Sequence, residues 1–228
     1  SLHSEQQLPS EKDLSAGNQK DNCSNIIAQN LKPPHSVRIG GKEFEALPES
    51  ENELIGINTI FSENGLSAIL MLHDQATLAN FILLSGSFKY VHIAAHSDYN
   101  DQYPDLTGIL FSPDEQGTNS MLYLNDVFQL QLQADLLVLS CCETGLGEQK
   151  EGEGMMALNR GFLYAGAHNI VYTLFKVLDN PTSQLTRLLY QHILEGLPYK
   201  KALTKAKIDM IAQHYPPSYW SGFVLMGR

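Results

Sequence analysis

Short runs of apolar residues alternate along the chain with stretches in which apolar residues recur every three or four positions. Runs of the first kind are typical of buried strands, and stretches of the second kind are typical of amphipathic helices. The runs predict six strands, at residues 36–39, 67–72, 89–95, 136–139, 168–174 and 219–226. Strands that alternate with helices predict an α/β fold, with a mostly parallel sheet and helices on both of its faces.

The stretches between these strands predict helices at residues 51–63, 75–84, 155–165, 181–194 and 200–212, and a short helix from Asn125. Ser50 and Glu53 have the spacing of a capping box at the start of the first helix, and Asp74 is the expected cap of the second. Gly166 is expected to end the 155–165 helix. Residues 108–111 and 120–124 predict a hairpin.

Two of the predicted strands end in residues that carry chemistry. The 136–139 strand is followed by Cys141 and Cys142, and the 89–95 strand is followed by His96. In open α/β sheets, chemistry sits beyond the carboxyl ends of the strands. A cysteine with an ordinary pKa of about 8.5 needs a base to act as a nucleophile at neutral pH. Cys142 is therefore the candidate nucleophile and His96 the candidate base, while His92 and Cys141 are expected to have structural roles.

Composition narrows the functional classes. The chain has 228 residues and a net charge of −10, without a basic stripe, so direct binding of nucleic acid is not expected. No run approaches the length of a membrane span, and no membrane association is expected. Three cysteines make a poor disulfide framework, which indicates a reducing, cytoplasmic setting. No CxxC or HExxH motif is present, so neither a metal nor a cofactor is expected.

The first 35 residues are polar and lack a sustained apolar period, which predicts a disordered tail or linker. Residues 36–228 are then one folded domain. The chain begins with Ser1 rather than Met, which is typical of a piece of a longer protein, and no signal peptide is visible at its polar start.

Five stretches, in this order, resemble the CHAT family of caspase-like cysteine peptidases: residues 91–96, 137–145, 154–167, 174–179 and 219–227. The resemblance implies a caspase–haemoglobinase-like three-layer sandwich with a mostly parallel six-stranded sheet. It places the family's nucleophile on Cys142 and its base on His96. It also implies an oxyanion hole formed by the backbone N–H groups of Ser97 and Cys142.

The chain departs from the family pattern at two positions. Ser97 stands where glycine is usual after the histidine, and Cys141 stands where a small residue is usual. In related folds the residue two positions before the nucleophile lines the S1 pocket, and here it is the neutral Ser140. Asp179 and Asp98 are the acidic candidates for that pocket, although Asp179 fits a helix start equally well. A basic and an uncharged P1 residue therefore both stay open.

The resemblance implies a bacterial cysteine endopeptidase that cleaves a specific protein or peptide through an acyl-enzyme and is regulated by a partner protein or a sensor domain. The alternative is a catalytically silent interaction module that keeps the fold. A serine hydrolase is excluded by the absence of a G-x-S-x-G elbow, and a dinucleotide-binding fold by the absence of G-x-G-x-x-G.

Overall fold

A computed structural model describes residues 37–39, 42–44, 47–100, 102–114, 120–140, 142–143, 153–175 and 179–227. The predicted tail at residues 1–35 lies outside the described residues and stays a prediction. The strands are β1 (Val37–Ile39), β2 (Lys42–Phe44), β3 (Tyr90–Ile93), β4 (His96–Asp98), β5 (Gly108–Leu110), β6 (Met121–Tyr123), β7 (Leu136–Leu139), β8 (Cys142–Glu143), β9 (Asn169–Thr173) and β10 (Phe223–Gly227). The helices are α1 (Pro48–Glu63), α2 (Leu78–Ser85), α3 (Leu124–Val127), α4 (Glu153–Tyr164), α5 (Asp179–Leu194) and α6 (Tyr199–Ala212).

The main sheet has the strand order β10-β9-β7-β3. Strands β3, β7 and β9 are parallel, and β10 is antiparallel to β9 at the edge. A second sheet has the order β6-β5-β4-β8, in which β4 and β8 are parallel and the other pairs antiparallel. The β5–β6 hairpin is the one predicted from sequence, so that prediction is confirmed.

Helices cover both faces of the main sheet, as predicted. Alternate residues of β7 belong to two separate core clusters, because neighbouring side chains of a strand point to opposite faces. Leu136 and Val138 pack in a cluster with residues of α1, α5 and α6. Leu137 and Leu139 pack in a cluster with residues of α2, α3 and α4. The β7 strand is thus buried on both faces, which its continuous apolar sequence predicts.

The predicted six-stranded sheet is wrong in the described residues, where the main sheet has four strands. The ladder that joins β3 to β7 ends at Ile93 and Leu139. Pairing resumes in the second sheet at His96 and Cys142. The predicted 89–95 strand is therefore the shorter strand β3, and His96, predicted to follow the strand, begins the separate strand β4. The 36–39 strand pairs with β2 in a separate hairpin rather than joining the main sheet.

Residues 67–72 form no strand, contrary to the prediction. Their alternation is nevertheless genuine, since Ala68, Leu70 and Leu72 pack against one core cluster and Ile69 and Met71 belong to or pack against the other. The alternating pattern reflects burial on two sides, and burial on two sides does not require a ladder of backbone hydrogen bonds.

Two predicted caps are also wrong. Helix α1 starts at Pro48, three residues before the predicted start, and Ser50 donates its hydroxyl to the carbonyl of Leu47 instead of capping the helix. Proline favours this first helical position because its missing N–H has no helical partner there. Helix α2 is capped by Thr77, whose hydroxyl accepts the backbone N–H of Asn80, and not by Asp74.

Candidate active site

The candidate nucleophile and the candidate base occupy paired positions on neighbouring strands. Strands β4 and β8 run parallel, with His96 opposite Cys142 and Ser97 opposite Glu143. Neighbouring strands lie about 4.7–4.9 Å apart. At this backbone separation, the side chains of two paired residues can interact directly. Residues 46 positions apart in the chain are thus adjacent in the fold. The side chain of Cys142 lies outside the described atoms.

His96 is held at the first position of β4 and is only 6% exposed. Its imidazole ring packs against the Phe44 ring of β2, with 5.5 Å between ring centroids and an angle of 54° between ring planes. Phe44 itself is buried with Leu110 and Met121 of the β5–β6 hairpin. The small β1–β2 hairpin, which sequence reasoning found only in part, therefore supports the ring of the candidate base. Its β2 strand was missed because its sequence, Lys-Glu-Phe, has no apolar run.

Ser97 and Asp98 follow the histidine within β4. Ser97 is fully buried and pairs with Ile109 on one side and Glu143 on the other. Its strand conformation is open to any residue, so serine can stand at a position where the family usually has glycine without left-handed backbone strain. Asp98 is half-buried at the end of β4, opposite Gly108.

A tightly turned loop leads away from β4. The side-chain oxygen of Asn100 accepts the backbone N–H groups of Gln102 and Tyr103, at 3.1 and 2.8 Å. The backbone N–H of Asn100 donates to the hydroxyl of Thr107 at 3.0 Å. At the start of α4, a β-carbon on Gly154 would lie 2.7 Å from that hydroxyl, so only glycine fits there. The loop beside the candidate site therefore packs closely against the start of α4.

The three S1 candidates lie on three different elements. Ser140 follows β7, is 9% exposed and donates its backbone N–H to the carbonyl of Ile93 at 2.8 Å. Asp98 ends β4, while Asp179 is the first residue of α5. The side chain of Asp179 lies outside the described atoms. Ser140 and Asp98 both belong to segments that flank the His96–Cys142 pair.

A buried carboxylate lies behind this pair, and sequence reasoning missed it. Glu53 of α1 is 2% exposed. Its Oε2 accepts the hydroxyl of Ser140 at 3.0 Å, and its Oε1 accepts the hydroxyl of Thr186 in α5 at 2.8 Å. His92 Nε2 lies 3.2 Å from Oε1. We call these four residues, together with Tyr190, the Glu53 cluster.

Tyr190 completes the cluster on the side of α5. Its hydroxyl lies 3.3 Å from His92 Nδ1, and both residues are fully buried. Burial, and secondly the negative charge of Glu53, raise the pKa of the Tyr190 hydroxyl well above its ordinary value of 10.0, so the phenol stays neutral and can donate to His92. A buried carboxylate is stable only when donors surround it, and the hydroxyls of Ser140 and Thr186 supply two of them, while His92 Nε2 lies close to Oε1 without a hydrogen bond to it.

The sequence does contain a signal for this cluster. Glu53 lies four residues before Ile57 and eight before Phe61, which places it on the same buried face of α1. A charged residue on a face that is otherwise apolar indicates a buried polar contact. The capping-box spacing of Ser50 and Glu53 offers a simpler reason for a glutamate at position 53, but Ser50 does not cap α1, so that explanation is wrong.

Within the described ranges, no group of three or more His, Cys, Asp or Glu side chains is arranged to hold a metal ion. In the same part of the chain, no helix has the length and apolar character needed to cross a membrane. The pairing of a cysteine with a histidine on the neighbouring strand is an arrangement that can serve nucleophilic acyl transfer.

Comparisons with known proteins bear on the family. A family model of the CHAT domain matches residues 3–228. The human tetratricopeptide repeat protein 28 is 32% identical over 109 residues, which cover 47% of this chain and 4% of that protein. The mouse protein of the same name is 31% identical over 109 residues, with the same coverage of 47% and 4%. The chain thus spans about 4% of the length of these curated relatives.

The crystal structure of protein GSU0716 from Geobacter sulfurreducens is similar with a TM-score of 0.46 and 16% sequence identity. The similarity covers 90% of this chain and 94% of that one.

Proposed function

Because the chain belongs to the CHAT-domain family, we propose that it is a cysteine endopeptidase in which Cys142 is the nucleophile and His96 the base. One observation carries the proposal, namely the β4–β8 register that pairs His96 with Cys142. A cysteine nucleophile requires a base within hydrogen-bond reach, and neighbouring strand positions supply that reach.

The reaction proceeds in two stages. His96 takes the proton of the Cys142 thiol, and the thiolate attacks the carbonyl carbon of the scissile peptide bond. The N–H groups of Ser97 and Cys142 stabilise the resulting oxyanion. The carbon–nitrogen bond then breaks, and His96 returns the proton to the leaving amine, which leaves a thioester. Water attacks the thioester with His96 as base, and the acid product and the thiol are released.

The substrate is a protein or peptide, and its P1 side chain is bound near Ser140, Asp98 and Asp179. If the two aspartates line the pocket, a basic P1 residue is preferred, because a carboxylate pairs with an ammonium or guanidinium group. If Ser140 alone lines it, an uncharged P1 residue is preferred. A panel of fluorogenic peptides that differ only at P1 separates the two cases.

We further propose that the peptidase acts in the cytoplasm and is regulated by a partner protein or an attached sensor domain. The curated relatives are named tetratricopeptide repeat proteins, and this chain spans a small part of their length. A match to so small a part of a long protein is compatible with a catalytic unit that works as one segment of a larger regulated protein.

The experiment that tests the proposal is intact-mass labelling with a peptidyl electrophile on the wild type, Cys142→Ala and His96→Ala. The proposal predicts one adduct on the wild type, none on Cys142→Ala, and slower labelling of His96→Ala. Equal labelling of the wild type and Cys142→Ala contradicts it. Circular dichroism of the three proteins checks that each variant is folded.

The second candidate function is a catalytically silent interaction module. The curated relatives favour it, since their printed name describes repeats rather than an enzyme. A silent module requires neither residue of the pair, so its partner binding should be unchanged by Cys142→Ala and by His96→Ala. It also predicts that the peptidyl electrophile does not label Cys142 selectively.

A further inference from the structure

The Glu53 cluster contacts both strands that lead into the candidate site. His92 lies four residues before His96, and Ser140 lies two residues before Cys142. Both side chains reach the same carboxylate, His92 at 3.2 Å and Ser140 at 3.0 Å. Glu53 is therefore hydrogen-bonded to the segment that carries the nucleophile and lies against the segment that carries the base.

The contacts of Glu53 with His92 and Ser140 lie where the main sheet ends. The β3–β7 ladder stops at Ile93 and Leu139, and the β4–β8 pairing begins three residues later at His96 and Cys142. Across this break the backbone N–H of Ser140 donates to the carbonyl of Ile93 at 2.8 Å, which connects the two strand segments. The hydroxyl of the same serine is held by Glu53. The relative position of the two segments thus depends on contacts made at Ser140.

The Glu53 carboxylate is also held by residues of α5. Thr186 of α5 donates to Glu53 Oε1 at 2.8 Å, and Tyr190 of the same helix contacts His92. Glu53 is 2% exposed, so water does not replace a lost partner. A buried acceptor that loses a donor pays a desolvation cost, wherever the donor was attached. Only the loss of the Ser140 hydroxyl also releases the segment that continues to Cys142, whereas the loss of the Thr186 hydroxyl releases a residue within α5.

We propose that Glu53 is a positioning residue of the candidate active site, and that it acts through Ser140 to set the placement of Cys142 relative to His96. The inference rests on the proposed function, because it assigns Glu53 a role in aligning the proposed Cys–His pair. Glu53 contacts no substrate in this role. Its effect is on the reactivity of the thiol.

The cluster contains a matched pair of substitutions. Ser140→Ala and Thr186→Val each remove one hydroxyl donor from the same carboxylate, and both sites are buried. Only Ser140 leads to Cys142, while Thr186 lies in α5. A purely structural cluster predicts similar losses of stability and similar, small effects on the thiol. A positioning role predicts that the thiol responds to Ser140→Ala alone.

The test measures alkylation of Cys142 by iodoacetamide in a background with Cys23→Ser and Cys141→Ala. Iodoacetamide has no P1 side chain, so a loss of S1 contacts at Ser140 does not affect the rate. The rate constant is measured from pH 5 to 10 for the parent, Ser140→Ala and Thr186→Val. Thermal unfolding of each protein is recorded alongside.

In the parent protein, the pH midpoint of alkylation is expected below the value of about 8.5 for an ordinary thiol. Ser140→Ala should move the midpoint toward 8.5 and slow alkylation at neutral pH by about tenfold or more, since a misplacement of about 1 Å can cost about a hundredfold. Thr186→Val should stay within about twofold of the parent on the same scale. Glu53→Gln should resemble Ser140→Ala, because it removes the charge that orders the cluster.

Two results overturn the proposal, and they are distinguishable. In the first, the parent has an alkylation midpoint below that of an ordinary thiol, and Ser140→Ala and Thr186→Val have equal pH profiles. This result removes the positioning role of Glu53 but leaves the Cys142–His96 pair intact. A parent whose Cys142 titrates like an ordinary thiol contradicts the proposed function itself, and the positioning role falls with it.

Discussion

Replacing Gly166 by alanine gives a sharp test of the fold. Gly166 is the second residue after α4 and has a φ of +113°. An added β-carbon would lie 2.1 Å from the carbonyl oxygen of Leu132, which precedes β7. The backbone N–H of Leu132 also donates to the carbonyl of Ala165 at 2.7 Å. The substitution therefore forces two backbone segments apart at a point where they are hydrogen-bonded.

Gly196 is the matched control. It is the second residue after α5, has a φ of +91°, and has nothing within 4 Å of an added β-carbon. The N–H groups of Gly166 and Gly196 both bond to the carbonyl three residues earlier. Gly196→Ala thus shares two effects with Gly166→Ala: the strain of a left-handed backbone, about 1–2 kcal/mol, and the partly compensating loss of entropy in the unfolded chain, about 0.4–1 kcal/mol.

The difference between the two variants isolates the overlap with Leu132. The close contact must open from 2.1 Å to at least 3.0 Å. Overpacking of this kind costs about 1–3 kcal/mol, and weakening the adjoining hydrogen bond costs about 0.5–1.5 kcal/mol. We expect Gly166→Ala to be less stable than Gly196→Ala by about 2–4 kcal/mol, or by about 4–16 °C in Tm for a chain of this size. Scanning calorimetry measures the difference, and equal melting temperatures would refute the reasoning.

Three further predictions concern stability. Thr77→Ala should cost about 1 kcal/mol by loss of the α2 cap, whereas Asp74→Ala, which removes the cap expected from sequence, should be close to neutral in urea unfolding. The pKa of Asp209 is lowered from its ordinary 3.8, first of all by a hydrogen bond from a lysine one turn earlier. Its stabilising contribution is therefore present above about pH 3.8 and lost as the pH falls below it, so the urea midpoints of wild type and Asp209→Asn should differ more at pH 7 than at pH 2.5. Phe81→Ala should cost about 3–5 kcal/mol, because Phe81 is fully buried, while Leu83→Ala, at a position 76% exposed, should stay within about 0.5 kcal/mol in the same assay.

The parts of the fold that were predictable from sequence are those where one pattern has one structural cause. The four apolar residues of β7 are buried on both faces, and such a run has few alternatives to a central strand. Gly166 was expected at the end of α4, and its positive φ confirms that role. The resemblance to the CHAT family is confirmed by the family match. The pairing of His96 with Cys142 follows from two parallel strands ending at one edge.

The features that sequence reasoning missed depend on contacts between distant segments. Residues 67–72 alternate like a strand, but whether an alternating segment joins a ladder depends on which neighbours have unpaired edges. Glu53 satisfied a local capping pattern, while its actual partners, Ser140 and Thr186, lie 87 and 133 residues away. A local pattern identifies a residue that can form a hydrogen bond but does not identify its partner.

The central claim is that Cys142 and His96 form a catalytic pair, and it depends on their paired positions in β8 and β4. The most direct test is a disulfide cross-link between these two positions. In a background with Cys23→Ser and Cys141→Ala, His96→Cys places a thiol opposite Cys142. Paired strand positions about 5 Å apart fall within the Cα separation of a disulfide, while Asp98→Cys, two residues further along β4, lies about 8 Å away and outside it. The account predicts that mild oxidation of His96→Cys forms a 96–142 disulfide, detected by peptide mapping, and that Asp98→Cys forms none with Cys142. A disulfide to residue 98 and none to residue 96 would contradict it.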